Sequence, residues 1–331
     1  MYDRLAELEL EIDEYTLERR ELDVTPEFVR VTTTVVLRGR GVEGRGEDVT
    51  YTAADHDGFP TELPLAGRRT LDEHSRLLDR CELFAHNPSM PAYADYRRWA
   101  FESASLALAL RQTGRSLGDV LGREYRPVRF VVSTRQEIEP WLALDPDLEF
   151  KLDPMSDWSD ERMQELAALD RVRILDLKGQ YKGTVVDQPP DPRLYRSVAT
   201  IFPEAIVEDP ALTEETREAL RGSEDRWSWD APIHSLADVH ALEREPCYLN
   251  IKPSRFGTVA RLLETIGWCE QRGVTMYGGG QFELGVGRLQ IQALASLFYP
   301  DAPNDVAPSV YNEGKPREDV PRSPLPRATA L

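Results

Sequence analysis

Ionisable residues recur at the ends of short apolar runs in the second half of this chain. They are Lys151 after LEF, Asp176 and Lys178 in RILDLK, Glu208 after AIV, Asp230 after WSW, Lys252 after YLNI, and Glu283 beyond the triple glycine 278–280. Burying so many charges around one centre is costly unless they neutralise each other or a metal. Three carboxylates at successive strand ends, Asp176, Glu208 and Asp230, make a cage for a hard divalent cation. Mg²⁺ takes oxygen ligands and keeps positions for water or substrate oxygens, and Mn²⁺ is the alternative. The set holds no histidine or cysteine, which disfavours zinc. One such carboxylate would be read as a surface charge at a loop start; three in succession after apolar runs point to a site.

The lysines sharpen this. Of 40 basic residues only five are lysine: Lys151, Lys178, Lys182, Lys252 and Lys315. GC-rich coding or salt adaptation accounts for the scarcity, but not for four of the five falling between 151 and 252. A lysine kept where arginine is the habit suggests a group that must be able to lose its proton. Beside a divalent cation and a second cation its pKa would fall, and it could act as a general base near neutral pH. A metal there would bind the enolate oxygens formed when a proton leaves the carbon next to a carboxylate.

The elements that must position these groups follow from periodicity. Residues 8 to 52 read as an antiparallel meander of about three strands, with FVRVTTTVVLRG as its β-branched centre. From Thr70 to Gly122 the apolar spacing becomes helical, as in YRRWAFESASLALALRQTG. After Tyr125 the rhythm is strand, turn, helix, repeated: VRFVVS, LEFKLD, VRILDLKG, EAIVEDP, RWSWDAP, CYLNIKP and VTMYGGG, with helices such as PRLYRSVATIF and GTVARLLETIGWCEQRG between them. Alternation at this period indicates a parallel sheet, and seven or eight units favour a closed barrel whose functional residues stand at the C-terminal strand ends. The predicted organisation is a capping domain over residues 1–125, a barrel over 126–305, and a proline- and charge-rich surface tail over 306–331.

Composition excludes other classes. The net charge of −18 repels nucleic-acid phosphates. Neither a run of 18 apolar residues nor a signal-peptide pattern is present, and Cys81, Cys247 and Cys269 form neither a disulfide framework nor a zinc pattern. A cytoplasmic protein without nucleic-acid or membrane partners, and a homo-oligomer, is expected.

The stretches IVEDP, WSWDAPIHSLADV, LNIKPSRFGTVARLLETI and YGGGQFELGVGR resemble the enolase superfamily, nearest its branch of muconate-lactonizing enzymes and o-succinylbenzoate synthases. AFESASLALALRQTGRSLGDVLG is similar to the helix that leads from that family's capping domain into its barrel. The resemblance covers most of residues 10 to 305. It implies an α/β fold, a modified (β/α)7β TIM-type barrel with an N-terminal α+β capping domain. It further implies Mg²⁺ held by Asp176, Glu208 and Asp230, catalytic lysines at Lys151 (second lysine of a Lys-x-Lys motif) and Lys252, and a substrate-facing Glu283. The chain departs from the family at Glu149, which replaces the first lysine of that motif, at Lys178, which stands where asparagine is usual, and at Ala231, where glutamate is common.

The expected function is therefore metal-dependent removal of the proton α to the carboxylate of a small acid, through a metal-stabilised enediolate. The outcome would be racemisation or epimerisation, cycloisomerisation, or syn-dehydration, the work of an isomerase or lyase. Alternatives are an o-succinylbenzoate synthase-like dehydratase specifically, a Schiff-base lyase using Lys252, and a metal-binding relative without turnover. Further substrate-binding candidates are Lys178, facing inward by strand alternation; Gly279, whose backbone could approach a carboxylate or form a tight strand exit; and Tyr15 and His56 from the capping loops.

Overall fold

The computed structural model describes every residue except 26, 27, 61, 136, 314, 315 and 330. Among the described residues no helix is long and apolar enough to cross a membrane. The N-terminal layer begins with β1 (Glu9–Ile12), followed by β2 (Glu14–Thr25), β3 (Phe28–Gly39), β4 (Val42–Asp48) and β5 (Gly67–Thr70). The order β2-β3-β4 forms the antiparallel meander, in register at Leu17↔Val35 and Val35↔Gly46, while β1 pairs β5 separately. The helix Tyr93–Thr113 lies on this sheet. It comes so close to β4 that a Cβ at Gly44 or Gly46 would stand about 2 Å from the carbonyl oxygens of Ala104 and Ala100. Only glycine permits that approach.

The helix Leu71–Leu78 starts with a capping box between Thr70 and Glu73 and buries His74, whose two ring nitrogens have no partner among the described residues. Burial, helped by the charges of Arg69 and Arg98, pushes its pKa from 6.5 down to about 3. A histidine depressed in the folded state contributes stability above pH 6.5 that is lost as pH falls toward 3. The expected loss approaches roughly 1.4 kcal/mol per pH unit. His74→Met, similar in bulk and unable to protonate, should flatten the stability–pH slope between pH 6 and 4 in urea titrations; an unchanged slope would show that other groups set it.

The barrel comprises β6 (Val132–Thr134), β7 (Phe150–Leu152), β8 (Val172–Asp176), β9 (Ile206–Glu208), β10 (Trp227–Trp229), β11 (Tyr248–Ile251) and β12 (Thr275–Gly278). All pair in parallel, each with its neighbours in sequence. The eighth position is reduced to two bridges, Gly279↔Asp305 and Phe130↔Asn304, which join β12 to the segment leading into β6. Asn304 rivets this seam. Its buried carboxamide accepts from the Gly278 N–H at 2.7 Å and donates to the carbonyls of Arg129, Tyr299 and Ala302 at 2.9 Å.

The C-terminal segment differs from expectation. Val306, Ala307, Tyr311, Leu325 and Leu331 are buried. Leu325 bridges Val128, and the Tyr311 ring packs on Phe130 and Trp141 with centroids 5.6 and 5.1 Å away. Proline and charge masked sparse apolar residues that dock singly, without the periodicity a sequence pattern needs.

The two layers are joined by buried charges. Glu47 of β4 accepts the N–H groups of Leu284, Gly285 and Gly287 at 2.7 to 3.0 Å, capping the barrel helix Val286–Phe298 from the other domain. Arg30 of β3, fully buried, donates to the carbonyls of Val49 and Thr50 on its own side and to those of Gln281 and Phe282 beyond β12.

Candidate active site

Register brings the acidic residues together. β8 pairs β9 with Asp176 opposite Glu208, and Ser228 of β10 lies opposite Glu208, so Asp230 follows one strand on. Asp176, Glu208, Asp209, Asp230, Lys151 and Lys252 are all buried at this end of the sheet. Carboxylate oxygens of Asp176, Glu208 and Asp209 lie within 4.8 Å of one another. Asp230 pairs with Arg255 and Lys252, each at 2.8 Å, and accepts from the Tyr181 hydroxyl at 2.6 Å. Asp209 uses both oxygens, each at 2.8 Å, to accept the backbone N–H groups of Asp230 and Ala231, which fixes the start of that loop.

Glu208 accepts from Lys151 and from the Tyr277 hydroxyl, with Asn250 Nδ2 at 3.3 Å. Asp176 takes Lys178 Nζ at 2.5 Å, the Lys178 N–H at 3.0 Å, and Lys151 Nζ at 3.2 Å. Lys178, Asp209 and Phe282 hold φ between 49° and 56°. Such strain in non-glycine residues gathers at functional sites.

The electrostatics follow from this crowding. Burial raises the Asp176 carboxyl, but the charges of Lys178 and Lys151 outweigh it, and its pKa lies below the usual range. Glu208 goes the other way: burial dominates, Lys151 opposes it, and Asp176 and Asp230 reinforce it, so its pKa lies well above the usual range. Asp209 is pushed up to about 7 by burial and by Asp230 and Asp176. For Lys151, burial alone would lower the pKa, yet Glu208, Asp176 and Asp305 carry it well above its ordinary value. With this chain's own groups the lysine is surrounded by anions; the expected depression belongs to a lysine with a divalent cation bound beside it.

The donor set fits a hard divalent cation. Carboxylate oxygens of Asp176, Glu208 and Asp209 lie within 4.8 Å of one another, a spacing that one small cation can span. Asn250 Oδ1, buried beside Glu208, has no partner among the described residues. Every candidate ligand is oxygen.

Other expected residues are placed differently. Glu149, which stands in place of the family's first motif lysine, sits at the opposite, N-terminal end of β7, bound to Arg129 and Arg173 at 2.6 Å. Glu283 folds beneath its own loop, accepting from the Gln281 N–H at 2.6 Å and pairing with Arg288 at 3.0 Å. His56 is enclosed between Thr33 and the Thr50 carbonyl, both at 2.9 Å, and braces the capping loop. Tyr15 donates to the Pro60 carbonyl at 2.9 Å. Gly279 leaves room for neighbours: a Cβ there would stand 2.3 Å from Asn250 Oδ1 and 2.8 Å from Lys252 Cε.

Several groups of the centre were not singled out by sequence. Asp209 and Arg255 lay inside IVEDP and IKPSRF, beside residues that were. Asn250 and Tyr277 share the inward faces of β11 and β12 by alternation. Tyr51, Tyr96 and Gln281 link through hydrogen bonds of 3.4 and 2.9 Å above the centre, a tertiary contact without local pattern. A cleft of about 1040 Å³ lies beside the centre, between the 179–190 loop and the helices Glu214–Ala219 and Leu236–Ala241; none of the strand-end charges lines it.

The seven-stranded parallel sheet, curled and joined at its seam by two bridges, with a meander cap over its charged strand ends, is shared with solved enolase-superfamily structures. Similar solved structures include a dipeptide epimerase from Methylococcus capsulatus complexed with Mg ion (20% identity, TM-score 0.67, 89% of each chain). Others are a muconate cycloisomerase from Pseudomonas fluorescens (17%, 0.63, covering 97% of this chain and 93% of that one) and an enolase-superfamily member from Listeria innocua (19%, 0.61, 92% and 84%). At these identities the likeness establishes the fold. The chain belongs to the family described as a domain of unknown function, DUF8230: residues 3–120 match its N-terminal domain and residues 124–313 its C-terminal domain. A curated relative, o-succinylbenzoate synthase from Bacillus subtilis, is 37% identical over 82 residues, 24% of this chain and 22% of that protein. The chain thus matches about a fifth of that relative's length.

Proposed function

We propose that this protein is a metal-dependent isomerase or lyase that removes the proton α to the carboxylate of a small organic acid. The observation that carries the reading is the pair Asp176 and Glu208, in register on adjacent strands, buried, and flanked by cations on either side. Asp176 and Glu208, with Asp230 or Asp209 as third oxygen donor, would hold Mg²⁺ or Mn²⁺. Bound there, the cation would draw electron density from substrate carboxylate oxygens and so acidify the α-carbon.

The chain's own groups do the rest. Lys252 follows β11 on one wall, its stem admitted by Gly279 and its Nζ oriented by Asp230. From there it would take the α-proton or return it. The opposite wall carries Lys151 and Lys178. The roof of Tyr51, Tyr96 and Gln281 would exclude water from the reacting carbon. Relatives of this fold include an epimerase and a cycloisomerase, so racemisation or epimerisation and cycloisomerisation are within its reach. The local match to o-succinylbenzoate synthase favours syn-dehydration as the second reading.

Metal binding tests this. Asp176→Asn and Glu208→Gln should each weaken Mg²⁺ or Mn²⁺ affinity by roughly tenfold or more, measured by calorimetry. Wild-type affinity in both would exclude these carboxylates as the metal site.

A further inference from the structure

Two lysines are available to face Lys252 across the barrel, and the geometry separates them. Lys151 is enclosed: its side chain is 1% exposed, its Nζ bonds Glu208, and Asp176 and Asp305 stand 3.2 and 3.5 Å away. An ammonium has three N–H donors, and three carboxylates surround this one. None of it is left for a ligand.

The level above Lys151 is occupied by an acid. β7 pairs β8 with Leu152 opposite Leu175, so the next inward position of β7, two beyond Lys151 and level with Asp176, is Asp153. The cation at that height comes from the neighbouring strand. Lys178 Nζ lies 2.5 Å from Asp176 Oδ2 and 3.6 Å from Asp153 Oδ1. Two carboxylates leave at least one of its donors free. Its side chain keeps 13% exposure, against 7% for Lys252.

The backbone is built for this placement. β8 ends at Asp176, and Lys178 turns back with φ 55° so that its N–H also meets Asp176. The Tyr181 ring centre lies 4.9 Å from Lys178 Nζ, and the Tyr181 hydroxyl bonds Asp230, the partner of Lys252. Tyr181 therefore spans the gap between the two ammonium groups.

We propose that Lys178, supplied by the strand of the first carboxylate, is the ammonium that receives the substrate's carboxylate opposite Lys252. Lys151 is a buried counter-ion that holds Asp176, Glu208 and Asp305 together. The assignment rests on the reading of the substrate as a small carboxylic acid.

Having five lysines makes the test direct, because each can be followed by mass spectrometry after brief acetylation of the native chain. Lys178 should react roughly tenfold faster than Lys151, with exposed Lys182 as reference. Saturating malonate with MgCl₂, as a carboxylate probe, should slow labelling of Lys178 and Lys252 and leave Lys182 unchanged. Labelling of Lys151 as fast as Lys178 overturns the proposal, as does malonate protection of Lys252 alone or of neither lysine. Lys151→Met, which takes the shared ammonium away from three carboxylates and leaves Glu208 without a charged partner, should lower the thermal midpoint by roughly 10 °C, and Lys178→Met by much less. If Lys151→Met does not fold, the wild-type labelling still decides. Absence of α-proton exchange with an intact labelling pattern would refute the reaction class and leave this assignment standing; the reverse result would refute the assignment alone.

Discussion

Lys252→Ala should lower α-proton exchange by about 10²–10⁴-fold, the usual contribution of a positioned acid or base, while the protein folds and binds metal nearly as before. The two halves of that expectation have separate physical causes. Lys252 is held on the wall of the centre by Asp230 at 2.8 Å, where a proton could be exchanged with a bound acid. When it is removed, Asp230 keeps Arg255 at 2.8 Å and the Tyr181 hydroxyl at 2.6 Å, so no buried carboxylate loses all its partners. Lys252→Arg should not restore exchange, because a guanidinium does not release its proton. Kinetics by proton NMR in D₂O, with parallel Mn²⁺ titration, would check both halves. Collapse of metal affinity in Lys252→Ala would show that the lysine organises the carboxylates instead.

Gly279→Ala should be nearly as damaging, although it removes no functional group. The added methyl would lie 2.3 Å from Asn250 Oδ1 and 2.8 Å from Lys252 Cε. Neither neighbour can yield cheaply: Asn250 is buried and its amide nitrogen faces Glu208, and Lys252 is fixed by Asp230. Overpacking of this kind costs about 1–3 kcal/mol. Displacing a reacting group by about 1 Å costs on the order of 10²-fold in rate. The informative comparison is Gly273→Ala, at a helix C-terminus with nothing within 4 Å, which should leave turnover unchanged whatever it costs in stability. Turnover like wild type in Gly279→Ala would mean that Lys252 is not held where the structure places it.

The contrast between these residues shows what the sequence could reveal. Asp176, Glu208 and Lys252 were legible because each follows an apolar run at the βα period, and strand ends are where a barrel presents its chemistry. Gly279 was noticed as one of three glycines, but its reason lies across a strand pair, in side chains 29 and 27 positions earlier. Lys178 was expected to face inward by alternation; β8 stops at Asp176, and it is a left-handed backbone turn that aims the side chain. Glu149 was noted only as a departure from the family motif, and its pairing with Arg129 and Arg173 lies across neighbouring segments where no local spacing shows it. The eighth strand of the expected (β/α)7β barrel was not located in the sequence, since two bridges at residues 304 and 305 leave no apolar run to read. Tyr51 and Tyr96 reach the centre from the capping layer, and no spacing within either element announces it.

The most direct test of the central claim is deuterium incorporation in D₂O at the α-carbon of a panel of α-substituted carboxylic acids, with MgCl₂ and again after EDTA. The account predicts exchange into at least one acid, dependent on Mg²⁺ and lost in Glu208→Gln. Exchange that persists in EDTA, or none in any acid with metal bound, would contradict it.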